Sequence, residues 1–239
     1  MKTPWWKAKQ WRWAAPLAVV CVLAGLATVS VRADPAPPRT GAVASNPNAT
    51  QVVIIGDSLS TGYGTSAELA WPHLVEDGTA QRIRPLQITN AAANGSGYLS
   101  VGDGDRTFAS EISESVTAAT KVVLIFGSEN DMGSDNTELK NAAAAAYAQA
   151  KAAAPAAAII AVGPPSYTTT PDPELLQVRD QDQAAAAEAG ITFIDPIQNQ
   201  WFMGHADQLI GPDGDHPSEE GQHYLQAKME PLLLAASGA

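Results

Sequence analysis

Short, unbroken apolar runs that recur between longer stretches of helical composition constrain this chain more than any other feature. The clearest are residues 51–56 (QVVIIG), 121–127 (KVVLIFG), 158–163 (AIIAVG) and 191–195 (ITFID), and residues 84–89 form a weaker fifth, second in chain order. Their hydrophobicity is continuous rather than alternating, so each strand is expected to be buried on both faces, as in a parallel sheet covered by helices. Helical composition falls at residues 71–78, with Pro72 suited to a first helical position, and at 107–119, 137–154, 173–189 and 218–234. Strand and helix alternate throughout, which predicts an α/β fold: a three-layer α/β/α sandwich around a mainly parallel five-stranded sheet. The alanine-rich stretch from Asn141 to Ala157 reads as an ordinary helix stopped by Pro155.

The start of the chain has a different character. Lys2, Lys7, Lys9 and Arg12 stand without an acid, four tryptophans (Trp5, Trp6, Trp11, Trp13) crowd among them, and residues 13–31 then carry no charge. A basic, aromatic flank before an apolar run is expected to place the remainder of the chain outside the cytoplasm. The run is 19 residues long, which suits either a cleaved signal peptide ending near Ala33 or an uncleaved membrane anchor. Residues 1–33 are thus read as a targeting segment, residues 34–50 as a Pro- and Ala-rich linker, and residues 51–237 as one catalytic-sized domain. The lone cysteine, Cys21, lies in the apolar run, so the exported part has no disulfide. Beyond residue 33 the chain holds 9 basic against 25 acidic side chains, a balance that repels phosphate backbones and argues against a nucleic-acid partner.

In open α/β sheets ligands bind beyond the carboxyl ends of the strands, so the residues there carry the functional reading. The first strand ends in Gly56-Asp57-Ser58-Leu59-Ser60, which sets Ser58 on a tight strand-to-helix turn as a candidate nucleophile. Ser60 rather than Gly at the last position departs from the G-x-S-x-G elbow and disfavours an α/β-hydrolase fold. Near the other end stands Asp213-Gly214-Asp215-His216-Pro217, where a carboxylate three residues before an imidazole can fix its tautomer and stabilise its charged form. Asp215 reads as a turn residue, Asp57 and Asp131 as loop braces, and Trp201-Phe202-Met203 as core. Attack on an ester also needs donors for the developing oxyanion. Two segments can supply them: residues 90–97 (NAAANGSG) through a glycine N–H, and residues 127–131 (GSEND) through the Asn130 amide. His73, His205 and His223 read as ordinary helix or loop residues. No Cys or His grouping has metal-ligand spacing, and no cofactor is expected.

These motifs, in this order from Gln51 to about Leu234, resemble the SGNH hydrolases, also called GDSL esterases, and are closest to their lysophospholipase and acyl-thioesterase members. The resemblance rests on Gly56 to Ser60 with Tyr63 and Trp71-Pro72, on Gly95 counted from Asn90, on GSEND, and on Asp213 to Pro217. It implies that Ser58 attacks, that His216 with Asp213 activates it, and that the Ser58 N–H, the Gly95 N–H and the Asn130 amide form the oxyanion hole. Two departures stand out: Ala92 replaces a glycine common in the second block, which leaves Gly97 as a rival to Gly95, and Glu129 lengthens the third. The expected activity is a monomeric, extracytoplasmic serine esterase acting on an acetylated sugar, a lipid or a thioester. Transfer of the acyl group to a glycan hydroxyl, or a silent glycan- or lipid-binding module, are the alternatives.

Overall fold

The computed structural model describes residues 47–127 and 129–238; the targeting segment at 1–33 with its apolar run and Cys21, residues 34–46 of the linker and Ser128 lie outside them. Five strands, β1 (Thr50–Ile55), β2 (Leu86–Asn90), β3 (Val122–Phe126), β4 (Ala158–Val162) and β5 (Thr192–Ile194), form one sheet in the order β2-β1-β3-β4-β5. Every pairing is parallel. The helices are α1 (Ser58–Thr61), α2 (Trp71–Thr79), α3 (Phe108–Ser115), α4 (Asn136–Ala153), α5 (Pro173–Ala189), α6 (Ala206–Leu209) and α7 (Glu219–Ser237). Strand β1 begins at Thr50, inside the segment read as linker, and α7 runs three residues beyond its expected end.

Strand side chains point alternately to the two faces, and in β1, β3 and β4 both faces are buried, whereas the edge strands β2 and β5 are partly exposed. Val53, Ile55, Val123 and Ile125 join the core under α3, α4 and α5, whereas Val52, Ile54, Leu124 and Phe126 join a second core under α2 and α7. That gives the three expected layers. Alanine serves a packing purpose in α4: Leu139, Ala143, Ala146, Tyr147 and Ala150 are all buried, and the small side chains let α4 lie close against Ala185 and Ala186 of α5. Trp201 and Phe202 are core, Phe202 lying edge-on to both Tyr167 and Tyr224 at 5.6 Å between ring centroids.

Helix ends follow local chemistry. Asp135 caps α4 by accepting from Thr137 N and Glu138 N, Asp172 caps α5 ahead of Pro173, and Ser218 caps α7 through Gly221 N. Helix α3 stops at Ser115, four residues before the expected end. There Val116 is extended, and the Thr117 and Thr120 hydroxyls accept from Ala119 N and Thr117 N, offering the backbone a turn in place of further helix.

The chain moves from β1 outward to β2 and then crosses back over β1 to β3, so strand order reverses between β1 and β3. This is the switch point at which loops diverge and leave a crevice. Leu124 sits at the centre of the sheet with no exposed surface; Leu124→Ala is expected to cost about 2–5 kcal/mol of stability, read by chemical denaturation.

Candidate active site

A cleft of about 440 Å³ opens at that switch point. Its lining comes from four loops: Asp57, Ser58, Leu59 and Tyr63 after β1; Asn94, Gly95 and Asp103 after β2; Glu129 and Asn130 after β3; and Asp215 and His216 before α7. The two ends of the chain's motif order therefore meet at one edge of the sheet. Ser58 is the first residue of the one-turn helix α1, which Asp57 caps by accepting from Leu59 N at 2.8 Å. Gly62 closes that turn with φ +83°, and a side chain there would strike Ser66 O at 2.2 Å, so the tight exit requires glycine. Ser60, which spoiled the G-x-S-x-G pattern, is fully buried and accepts from the Trp71 indole at 3.2 Å.

His216 turns Nδ1 toward Asp213, 2.8 Å from Oδ2. Asp213 Oδ1 also accepts from the backbone N–H of His216 and of Asp215, both at 3.1 Å, and these bonds hold its carboxyl down at about 2. With Nδ1 committed, Nε2 is the nitrogen left for the cleft. The Tyr63 ring stands against the imidazole, with 4.4 Å between centroids.

Among the described residues, the N–H groups of Ser58 and Gly95 donate to no protein acceptor. Gly95 lines the cleft at φ +75°, whereas Gly97 does not: its N–H donates to Ser100 O at 3.0 Å, and a side chain on it would meet the Asp131 carboxylate at 2.6 Å. The geometry thus separates two glycines that sequence left as rivals. The Asn130 amide borders the cleft and donates to Ser96 O at 3.0 Å and to Asp57 Oδ2 at 3.2 Å.

Buried carboxyls tie these loops to one another. Asp131 accepts from the N–H groups of Tyr98, Leu99 and Ser100, which fixes the loop after β2 on the loop after β3. Glu111, from α3, accepts from Gly56 N at 3.0 Å and Ser96 Oγ at 2.8 Å, joining the Ser58 turn to the Gly95 loop. Deeper still, Asp182 accepts from the Tyr98 and Tyr147 hydroxyls. Asp57 and Asp131 brace loops as expected from sequence. Glu111 was missed, although it lies with Phe108 and Ile112 on the buried stripe of α3, and a carboxylate on an apolar helical stripe is a legible signal.

Asp215, read as a turn residue, stands in a bend, and both it and the inserted Glu129 also line the cleft, a place sequence did not foresee. Asp215 Oδ2 lies 3.8 Å from His216 Nε2. Asn94 and Asp103 were also unforeseen; Asn94 joins Thr61 Oγ1 at 2.6 Å to Asp103 Oδ2 at 3.0 Å. His73, His205 and His223 are not among the cleft-lining residues. Among the described residues no group of three His, Cys, Asp or Glu side chains is placed to hold a metal.

The model of the GDSL-like Lipase/Acylhydrolase family matches residues 54–224, which takes in the Ser58 turn and the His216 loop together. The chain belongs to this GDSL-like family. It is 33% identical over 187 residues to the GDSL lipase Rv0518 of Mycobacterium tuberculosis, a match covering 76% of this chain and 80% of that protein. Among solved structures, TesA superposes with a TM-score of 0.63 at 20% identity, covering 77% of this chain and 98% of TesA. The lipase/acylhydrolase of Enterococcus faecalis gives 0.62 at 18% identity, covering 77% and 95%. As a GDSL-like protein the chain is a serine hydrolase acting on ester bonds.

The buried carboxyls of this GDSL-like domain carry a pH signature. Burial pushes Asp57 up to about 8, and Glu111 and Asp182 each up to about 7. Each folded value lies above that of the unfolded chain, so folding retains protons; the associated stability is complete below about pH 4 and is lost as pH rises to about 8. The melting temperature is therefore expected to decline from about pH 5 to about pH 8.5, with a shallower slope in Glu111→Gln; scanning calorimetry across that range checks it.

Proposed function

We propose that the chain is an extracytoplasmic serine esterase in which Ser58, His216 and Asp213 act as a triad. What carries this reading is one juxtaposition: Ser58, His216 and Gly95 border the same cleft, and Asp213 holds His216 Nδ1 at 2.8 Å. His216 Nε2 accepts the Ser58 proton as Oγ attacks the ester carbonyl, and Asp213 stabilises the imidazolium. The oxyanion is met by the N–H groups of Ser58 and Gly95 and by the Asn130 amide, which gives up its longer bond, to Asp57, for the stronger charge. The imidazolium returns its proton to the leaving alcohol or thiol, and water then hydrolyses the acyl-enzyme by the reverse roles. The basic, Trp-flanked entry into the chain supports export: it precedes the apolar run at 13–31, which is a signal peptide or an anchor. Acetylated sugars, lipids and thioesters are the substrate classes to be screened.

Purified protein is expected to hydrolyse a short p-nitrophenyl ester and to be labelled by a fluorophosphonate on Ser58, with both lost in Ser58→Ala. Asp213→Asn should lower kcat by about 10²- to 10⁴-fold while leaving the fold intact by circular dichroism. Labelling without turnover, relieved by an added glycan acceptor, would mark a transferase instead; no labelling would mark a silent module.

A further inference from the structure

The charge of the cleft is one-sided. Among its described lining residues four carry carboxyl groups, Asp57, Asp103, Glu129 and Asp215, and none is Lys or Arg. Arg106, the cation closest in sequence to Asp103, is engaged by Glu114 at 2.9 Å. Asp57 is buried and caps α1, and burial pushes both it and Glu129 up to about 8, so neither brings a full charge at neutral pH. The carboxylates left to act on a ligand are Asp103, exposed after β2, and Asp215, half-exposed beside His216.

Their position relative to the reacting atoms decides which part of a substrate they meet. His216 hands its proton to the leaving alcohol or thiol, so the leaving atom comes to Nε2. Asp215 Oδ2 lies 3.8 Å from Nε2, so a leaving oxygen within about 3 Å of Nε2 comes within about 7 Å of the Asp215 carboxylate. At that range two like charges, partly screened by water, change a rate about three- to tenfold. The Tyr63 ring, 52% exposed, stands against the same imidazole. The negative face of an aromatic ring receives C–H groups or a cation and repels an anion.

Resting on the triad reading above, we propose that the leaving-group side of the cleft, bordered by Asp215 and Tyr63, is an anion-excluding subsite: the chain takes esters whose alcohol carries no negative charge and turns away those whose alcohol or thiol bears phosphate or carboxylate. Asp215 is the specificity-determining residue, acting on the charge of the departing group. Asp103 adds to the same field from the loop after β2, where it accepts from Asn94 Nδ2 at 3.0 Å and follows Gly102, which packs on Gly95. The formal charge of −11 on the whole chain repels approaching anions at longer range. Of the substrate classes to be screened, acetylated sugars and uncharged lipid esters fit this subsite, and coenzyme A thioesters do not.

The test compares the acetate esters of 4-hydroxy-3-nitrobenzamide and 4-hydroxy-3-nitrobenzoate, whose leaving phenols differ by one carboxylate. For the purified full chain at neutral pH and low salt, kcat/KM should favour the uncharged ester about tenfold beyond the ratio of the spontaneous hydrolysis rates. High salt should shrink that preference. In Asp215→Asn the preference should fall about three- to tenfold. Both esters share the acyl group and the chemical step, so a general loss of activity in the variant cancels from the ratio. Equal or reversed kcat/KM in the parent, or a preference that Asp215→Asn leaves unchanged, overturns the subsite. Ser58→Ala measured alongside separates this from failure of the triad reading. Turnover that persists in Ser58→Ala, or its absence on both esters in the parent, refutes the esterase mechanism on which the subsite rests; turnover that Ser58→Ala abolishes, without discrimination between the esters, refutes the subsite alone.

Discussion

The site depends on carboxyl groups placed where strands end. A parallel sheet leaves its C-terminal edge as a row of diverging loops whose backbone N–H groups have no ladder to join. Here Asp57, Glu111 and Asp131 accept from Leu59, Gly56, Tyr98, Leu99 and Ser100, converting separate loops into one rigid rim. Burying these acids is unfavourable for their charged forms, and the raised values of Asp57 and Glu111 record that cost. The return is a rim stiff enough to hold reacting groups in register.

Much of the architecture was legible because its causes are local. Continuous apolar runs marked four of the five strands, with residues 84–89 as the weaker one, and helical composition placed the starts of α2, α3, α4, α5 and α7 within a residue. The pairing order β2-β1-β3-β4-β5 was not legible from any single segment, since it depends on which crossover packs on which face. The early stop of α3 escaped as well, because threonine side chains competing for backbone groups do not disturb a helical hydrophobic pattern.

The candidate site divides the same way. Ser58, Asp213 and His216 stand in spaced motifs whose chemistry is readable residue by residue, and the cleft brings Ser58 and His216 together with Asp213 behind. Glu129 and Asp215 were unreadable as cleft residues because an inserted acid in one loop and a turn acid in another take that place only when folding brings loops 86 positions apart in sequence to one cleft. Gly95 and Gly97 were equivalent as letters. What distinguishes them is Asp131, which packs on one and leaves the other facing the cleft.

Helix α1 is a single turn, and Ser58 is its opening residue. A helix beginning cannot satisfy its own first amides, so the position that carries the hydroxyl also carries a donor the helix is unable to consume. In the proposed mechanism, attacking atom and charge acceptor thus share one α-carbon. Lengthening the turn at its front by a residue would separate the two functions at a stroke, which makes the shortness of this element a condition of its chemistry.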